Sequence, residues 1–382
     1  MQNSLDQLKK ISSLIEFLNT YNHLLAQTTA TNGFDGFIDS IVRVVKTRND
    51  QDTVSLFETM NSFGKYILEK SGSSCSIELV ESSTRLGGNM PIMSNAMASL
   101  GIKVNCIGAL GYPNIHGVFK EISLNCQVFS FADPGTATAF EFEDGKIMFA
   151  QMGALNNIGW KEVRNAIGLH KLIDLYKKSD LISMVNWSEI IASGDIWEGI
   201  LKEVIPVCCQ ERKKKTLFFD LSDCSKRTAS DITQVLNLLN QYAKYTRVVL
   251  GLNRNEANII YRILSVNKIF EDDPTLMAKC IYDNLDIDTV LLHHSSEAIS
   301  FDQHGAHTSP SFFISNPKIS TGAGDHFNAG FCAAQLMQAD MDSSLLLANA
   351  VAGYYVKNGE SPQIPELIDF LKQYVNLDAA TN

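Results

Sequence analysis

From about residue 100 onward the chain alternates two kinds of hydrophobic pattern. Short unbroken apolar runs, "KVNCIGALG", "DLISMVNW", "KTLFFDLS", "RVVLGLN" and "DTVLLHH", are separated by segments whose apolar residues recur at helical spacing. In a strand, successive side chains point to opposite faces, so an unbroken apolar run implies that both faces are covered. Such strands, separated by helices, pair in parallel through crossover connections. The expected fold is therefore α/β, a doubly wound, mainly parallel sheet flanked by helices.

Other stretches break this pattern. "ADPGTATAFEFEDGKIMFAQ" alternates apolar and polar residues around Asp144-Gly145, a β-hairpin signal. "GFIDSIVRVVKTR" is also strand-like. Pairing of the two predicts a small antiparallel sheet, a β lid formed by about residues 37–50 and 126–151, with an inserted helical segment at about 51–80. Within that insertion "TVSLFETMNSFGKYILEKSG" predicts a helix. At the N-terminus Leu5, Leu8, Ile11, Ile15 and Leu18 recur at helical spacing without the continuous apolar run of a signal peptide, so an amphipathic helix is expected. "ERKKKTLFF" reads as a solvated helix end leading into a strand. With no internal repeat or low-complexity linker, residues 1–382 are expected to form one domain.

Composition narrows the partners. The chain has 382 residues, 45% hydrophobic, with 42 acidic against 32 basic residues and a formal charge of -10. That balance excludes a basic face for nucleic acid or an anionic membrane, though not a local phosphate site. Eight cysteines, none in a C-x-x-C pair, sit mostly in apolar contexts such as "VNCIGAL", as reduced buried thiols do. No stretch is long and apolar enough to span a membrane, and the expected location is cytoplasmic.

The chemistry concentrates in "STGAGDHFNAGF", residues 320–331. Gly322 and Gly324 permit close backbone approach to a ligand, and the helical pattern that follows puts unpartnered amides beside them. A glycine loop joined to a helix N-terminus cradles an anion. If that anion is a phosphoryl group in transfer, Asp325 is placed to accept a proton from the attacking hydroxyl. The plainer alternative makes Asp325 the helix N-cap. In "GLNRNEAN", Asn253 and Glu256 have the spacing of a capping box, and equally of a pair that organises a hard cation. His293-His294 lacks the spaced partners a metal site needs, and His326 points elsewhere on the helix than Asp325.

"STGAGDHFNAGF" resembles the C-terminal signature of the PfkB (ribokinase-like) carbohydrate kinases, approximately D-T-x-G-A-G-D-x-F-x-x-G, with Ile319 or Ser320 standing where the leading Asp would be. The resemblance implies an anion hole from Gly322, Ala323 and Gly324, with Asp325 as catalytic base. "GFDGFIDSI" resembles the family's first strand and its sugar-binding acid, with Asp39 the better match and Asp35 the second. "RLGGNMPIMSNAMASLG" resembles the N-terminal signature through Gly87, Gly88 and Asn89 near the sugar, with Ile92 where an Asn is frequent. "GGNMPIMSN" is also similar to the ADP-dependent sugar kinases of the same superfold. The N-x-x-E motif implies that Asn253 and Glu256 organise magnesium and phosphate through water. "ANAVAGYYVKNGESP" resembles the closing helix and loop that pack on the adenine and in some members hold a monovalent cation, making Asn349, with Thr321, a nucleotide-site residue.

The resemblance implies in-line transfer from ATP, with Mg2+ bridging the donor phosphates and ADP the alternative donor, onto a hydroxyl of a sugar or related compound. The lid would close over the acceptor, and its exposed edge suits a homodimer. Two alternatives stay open on these residues: a nucleoside kinase of the same family, and a non-catalytic sugar-binding regulatory member of the fold.

Overall fold

The computed structural model describes residues 2–49, 53–209, 215–265 and 272–381. In chain order the first half contains α1 (Gln2–Tyr21), β1 (Thr29–Phe34), β2 (Phe37–Arg48), β3 (Val54–Leu56), α2 (Met60–Glu69), β4 (Leu79–Gly87), α3 (Asn89–Ser99), β5 (Lys103–Gly108), β6 (Cys126–Ser130), β7 (Gly135–Phe142), β8 (Gly145–Gln151), α4 (Trp160–Ile167) and α5 (Leu169–Lys178). The second half contains β9 (Leu181–Met184), α6 (Ser193–Glu203), α7 (Ile205–Cys208), β10 (Thr216–Asp220), α8 (Ala229–Tyr242), β11 (Arg247–Asn253), α9 (Arg254–Leu264) and α10 (Pro274–Asp283). It closes with β12 (Thr289–His293), β13 (Glu297–Asp302), β14 (Gly305–Pro310), α11 (Ala323–Leu336), α12 (Met341–Asn358) and α13 (Ile364–Thr381).

Among the described residues, nine strands form the main sheet in the order β14-β13-β12-β11-β10-β9-β1-β5-β6. All neighbours from β6 to β12 are parallel, and β13 and β14 add an antiparallel edge. The unbroken apolar runs split between two cores, as a two-sided sheet requires. Leu217 and Phe219 of β10 face the layer that contains α4 to α10, while Phe218 between them faces α1, α3 and α11 to α13. α1 contributes Ile11, Leu14 and Leu18 to the second core. Residues 210–214, which include most of the charge in "ERKKKTLFF", lie outside the described residues; β10 begins just after them at Thr216. All eight cysteines are free thiols. Among the described residues no helix is long and apolar enough to cross a membrane.

The lid departs from the expected pairing. β2 pairs parallel with β7 and antiparallel with β4 and β3, and β7 and β8 form the hairpin around Asp144-Gly145. β2 and β7 are parallel because α3, β5 and β6 intervene, so the chain returns to the lid by a crossover rather than a hairpin. The boundary 126–151 is also corrected: Cys126–Ser130 is β6 of the main sheet, and the lid resumes at Gly135. The boundary 37–50 ends in β2 at Arg48, with Asp50 outside the described residues. In the insertion, Val54–Leu56 is a strand, and the helix starts only after Thr59, whose hydroxyl accepts from the Ser62 amide. This helix gives the lid its own core of Val44, Phe57, Phe63 and Phe142, with the Phe63 and Phe142 rings stacked at 5.5 Å. Burying a side chain such as Phe63 stabilises by about 1.5–3 kcal/mol.

Candidate active site

The parallel strands end together, and their C-terminal ends carry the polar residues. Asp35 follows β1, Asn186 follows β9, Asp220 ends β10, Asn253 ends β11 and His293 ends β12. A cleft of about 380 Å³ opens over these ends, with Asp39, Asn89, Asp220, Glu256, Thr321 and Asp325 among its lining residues. A larger cavity of about 720 Å³ lies at the opposite, N-terminal ends of the central strands, beside Lys177, Lys215 and Arg247. It contains none of the motif residues, so chemistry rather than size locates the site.

Asp325 is not the N-cap of α11. The cap is Gly322, in the left-handed conformation at φ 89°, and no side chain caps the helix. Gly324 also needs to be small, since a Cβ there would lie 3.2 Å from the His293 ring. The helix thus presents an open N-terminus to the cleft, with Asp325 in its first turn. Burial raises the Asp325 pKa well above the ordinary range, and the carboxylates of Asp220, Asp35 and Glu256 add to the rise while Asn89 opposes it.

Sequence reasoning missed Asp220. It ends the apolar run "TLFFD", and its position at the C-terminal end of a buried parallel strand was the available signal. One oxygen accepts the Ser222 amide at 2.7 Å and the other accepts the Asn328 side-chain amide of α11 at 2.7 Å. Asp220 therefore ties β10 to the helix that carries Asp325. Burial raises its pKa. Asn253 and Glu256 form a complete capping box: the Glu256 amide donates to Asn253 at 3.0 Å, and the Glu256 carboxylate accepts the Asn253 backbone amide at 2.8 Å and its side-chain amide at 2.5 Å. The box also holds the Glu256 carboxylate at the cleft, where burial and Asp220 push its pKa well up. The capping reading holds, and the capped carboxylate lines the cleft. Among the described residues, no three acidic, His or Cys side chains converge tightly enough to hold an ion by themselves. His293 is half-buried, its ring packed on Phe327, and desolvation lowers its pKa to about 4.

The two glycines of "RLGGNM" each make room for one of the two acids in "FDGFID". A Cβ on Gly87 would lie 2.3 Å from Asp39 Oδ1, and one on Gly88, at φ 93°, would lie 2.6 Å from Asp35 Oδ2. Asp39 faces the cleft and stands opposite Arg85 across the β2–β4 ladder. Burial raises its pKa, with Arg85 and Lys146 pulling it back. Asp35, the second sugar-binding candidate, is corrected to a capping residue. It is fully buried and accepts the Asn89 and Met90 amides of α3, each at 2.8 Å, and the Asn186 side-chain amide at 2.6 Å. Burial pushes its pKa up to about 7.

Asn349 is likewise not at the cleft. Its amide donates to the carbonyls of Ser309 and Pro310, and its oxygen accepts from the Ser311 hydroxyl, so it secures the end of β14. Thr321 is at the cleft, and its hydroxyl accepts from the ammonium of Lys146 on β8, a contact that joins the lid to the signature loop. Lys146 and Arg85 have no local sequence signal, since both are ordinary polar positions on lid strands. The carbonyls behind the loop are held by His326 and Tyr355.

Comparison with known proteins agrees with this geometry. The family model for prokaryotic ketohexokinase matches residues 20–374. A ketohexokinase from Haloferax volcanii is 29% identical over 351 residues, covering 91% of this chain and 92% of that protein. Among solved structures, a ribokinase from Arabidopsis thaliana complexed with ribose and ATP is similar at TM-score 0.62 and 16% identity, covering 90% of this chain and 98% of the other. A probable sugar kinase from Rhizobium etli is similar at TM-score 0.63 and 16% identity, covering 91% and 98%. A family match over nearly the whole chain, on a fold shared with these structures, makes this chain a member of the prokaryotic ketohexokinase family of PfkB-type (ribokinase-like) sugar kinases.

Proposed function

We propose that the chain transfers the terminal phosphoryl group of ATP to a hydroxyl of a ketohexose, with Asp325 as general base. The observation that carries this reading is the placement of Asp325 in the first turn of an uncapped helix, on the same cleft as Asp39. The acceptor class follows the Haloferax volcanii relative named ketohexokinase. Asp39 and Asn89 bind acceptor hydroxyls, a carboxylate being able to take two hydrogen bonds from neighbouring hydroxyls. Asp325 takes the proton of the attacking hydroxyl, for which a carboxylate with a raised pKa is the stronger acceptor. The amides of Gly322, Gly324 and Asp325 oppose the charge that develops on the phosphoryl oxygens, while the Ala323 amide donates to the Ser320 carbonyl at 3.2 Å. The hairpin carrying Lys146 rests on Thr321 and shields the reacting groups from water.

The residues fit magnesium. Asp220, Asp223 and Glu256 line one cleft with hard oxygen ligands; burial raises the pKa of Asp220, and burial and then the Asp220 charge raise that of Glu256, so a cation there would relieve both. Glu256 and Asn253 would hold the ion through water, and it would supply charge neutralisation on the donor phosphates.

The outer lid exposes Met148 and Phe149 on β8, whose outer edge is free, a surface that a second copy of the chain would cover. Eight free thiols suit a cytoplasmic location. The function is tested by ATP turnover with magnesium against ketohexoses, aldohexoses, pentoses and nucleosides in parallel. Ketohexoses should give the highest kcat/KM; preference for a nucleoside, or turnover with ADP in place of ATP, would replace this reading.

A further inference from the structure

In some PfkB relatives a monovalent cation sits beside the anion-binding loop, and the residues of this chain do not fit one. A cation there would have to be drawn in by free carbonyls and a carboxylate. Ile319 or Ser320 stands at the position of the acid that leads the family signature. The Thr321 carbonyl accepts the Tyr355 hydroxyl at 2.9 Å, and the Gly322 carbonyl accepts Nδ1–H of His326 at 2.8 Å. At the end of α12, the Val356 carbonyl accepts the Lys318 amide at 2.9 Å and the Asn358 carbonyl accepts the Lys318 ammonium at 3.2 Å. The protein itself thus serves each of these oxygens, and at one of them it supplies its own cation. The acids lining the adjoining cavity of about 250 Å³ are Asp39, opposite Arg85, and the exposed Glu360.

The two loop donors form one unit. The His326 and Tyr355 rings stack with centroids 3.6 Å apart and planes at 13°. The second ring nitrogen of His326 lies 2.8 Å from the Ser361 hydroxyl, which donates to it once Nδ1 carries the proton. Burial lowers the His326 pKa to about 4, so the neutral ring that this arrangement needs is the form present near neutrality. Because a peptide is planar and trans, fixing the Thr321 oxygen also fixes the Gly322 N–H, which points the opposite way. We propose that this chain holds its anion-binding loop with the His326–Tyr355 stack in place of a monovalent cation, and that the two side chains are positioning residues for the loop amides.

The inference rests on the kinase reading only for its rate arm. The wild type is assayed in potassium, sodium and tetramethylammonium chloride at equal ionic strength, and its thermal unfolding is followed in the same salts. Rates within about twofold of each other, and a common unfolding midpoint, are expected. A saturable rise of either with potassium overturns the proposal. His326→Ala and Tyr355→Phe should each lower kcat about tenfold, the worth of one positioning hydrogen bond, while both KM values stay within about twofold. His326→Asn, whose amide can donate to the Gly322 carbonyl, should recover most of the loss. Unchanged kcat in both single variants also overturns it. If His326→Ala does not fold, Tyr355→Phe and the salt series decide. Absence of turnover with every acceptor would instead defeat the kinase reading, and the unfolding series would still decide this one.

Discussion

Replacing Asp325 with Asn keeps the shape of the side chain and removes both its basicity and its charge. Loss of a general base lowers turnover by about 10²–10⁴-fold, which is roughly 2.7–5.5 kcal/mol of barrier. The same change should stabilise the ligand-free protein. Burial raises the Asp325 pKa, and Asp220, Asp35 and Glu256 repel its charge. A group whose folded pKa is raised contributes stability below its unfolded pKa, near 4, and loses it as pH rises through the folded value. The wild type therefore gives up stability with rising pH that Asp325→Asn retains. One like charge roughly 6–15 Å away costs on the order of 1–3 kcal/mol at an effective dielectric of about 20. An unfolding entropy of about 2.1 cal/mol/K per residue gives ~0.8 kcal/mol/K over 382 residues, so the variant should melt roughly 1–4 °C higher at pH 8. The gap should close toward pH 4. Coupled detection of ADP measures the rate, and differential scanning fluorimetry across pH measures the midpoint. A variant with near-normal turnover, or one less stable than wild type at pH 8, would refute the reasoning.

Three further changes test the surroundings. Gly87→Ala puts a Cβ 2.3 Å from Asp39 Oδ1, so Asp39 must move; the acceptor KM should rise about tenfold or more with the ATP KM unchanged, as steady-state kinetics with each substrate varied will read. Gly88→Ala forces a side chain to φ 93° and against Asp35; it should destabilise by about 1–3 kcal/mol in a denaturant titration. Glu256→Gln keeps much of the capping box and removes a charge; the magnesium concentration for half-maximal rate should rise about tenfold, and an unchanged value would remove Glu256 from cation binding.

The parallel strands were legible because burial on both faces leaves unbroken apolar runs, which few other structures produce. The lid was legible as strands but not as a topology. "GFIDSIVRVVKTR" shows that a strand exists, while its parallel partner is set by a crossover through α3, β5 and β6 that no local pattern records. "CQVFS" was assigned to the lid because a half-buried edge strand of the main sheet has the same alternation as a lid strand. Asp35 and Asp39 lie in one short segment, and only the end of β1 at Phe34 decides which caps α3 and which meets the cleft. Asn349 was a ligand candidate through the resemblance of "ANAVAGYYVKNGESP" to the family's closing helix, and a motif match does not record that its amide is taken up by strand carbonyls. The signature loop was read from the sequence, but its support was not. His326 and Tyr355 lie far apart along the chain, and only the packing of α11 on α12 brings their rings together.

The most direct test of the account is the product itself. Purified protein is incubated with ATP carrying a labelled terminal phosphate, magnesium and a ketohexose, and the sugar is analysed by mass spectrometry. The account predicts a singly phosphorylated ketohexose carrying the label, formed by the wild type and at least about a hundredfold more slowly by Asp325→Asn. Labelled inorganic phosphate without sugar phosphate, or equal sugar phosphate from both proteins, would contradict it.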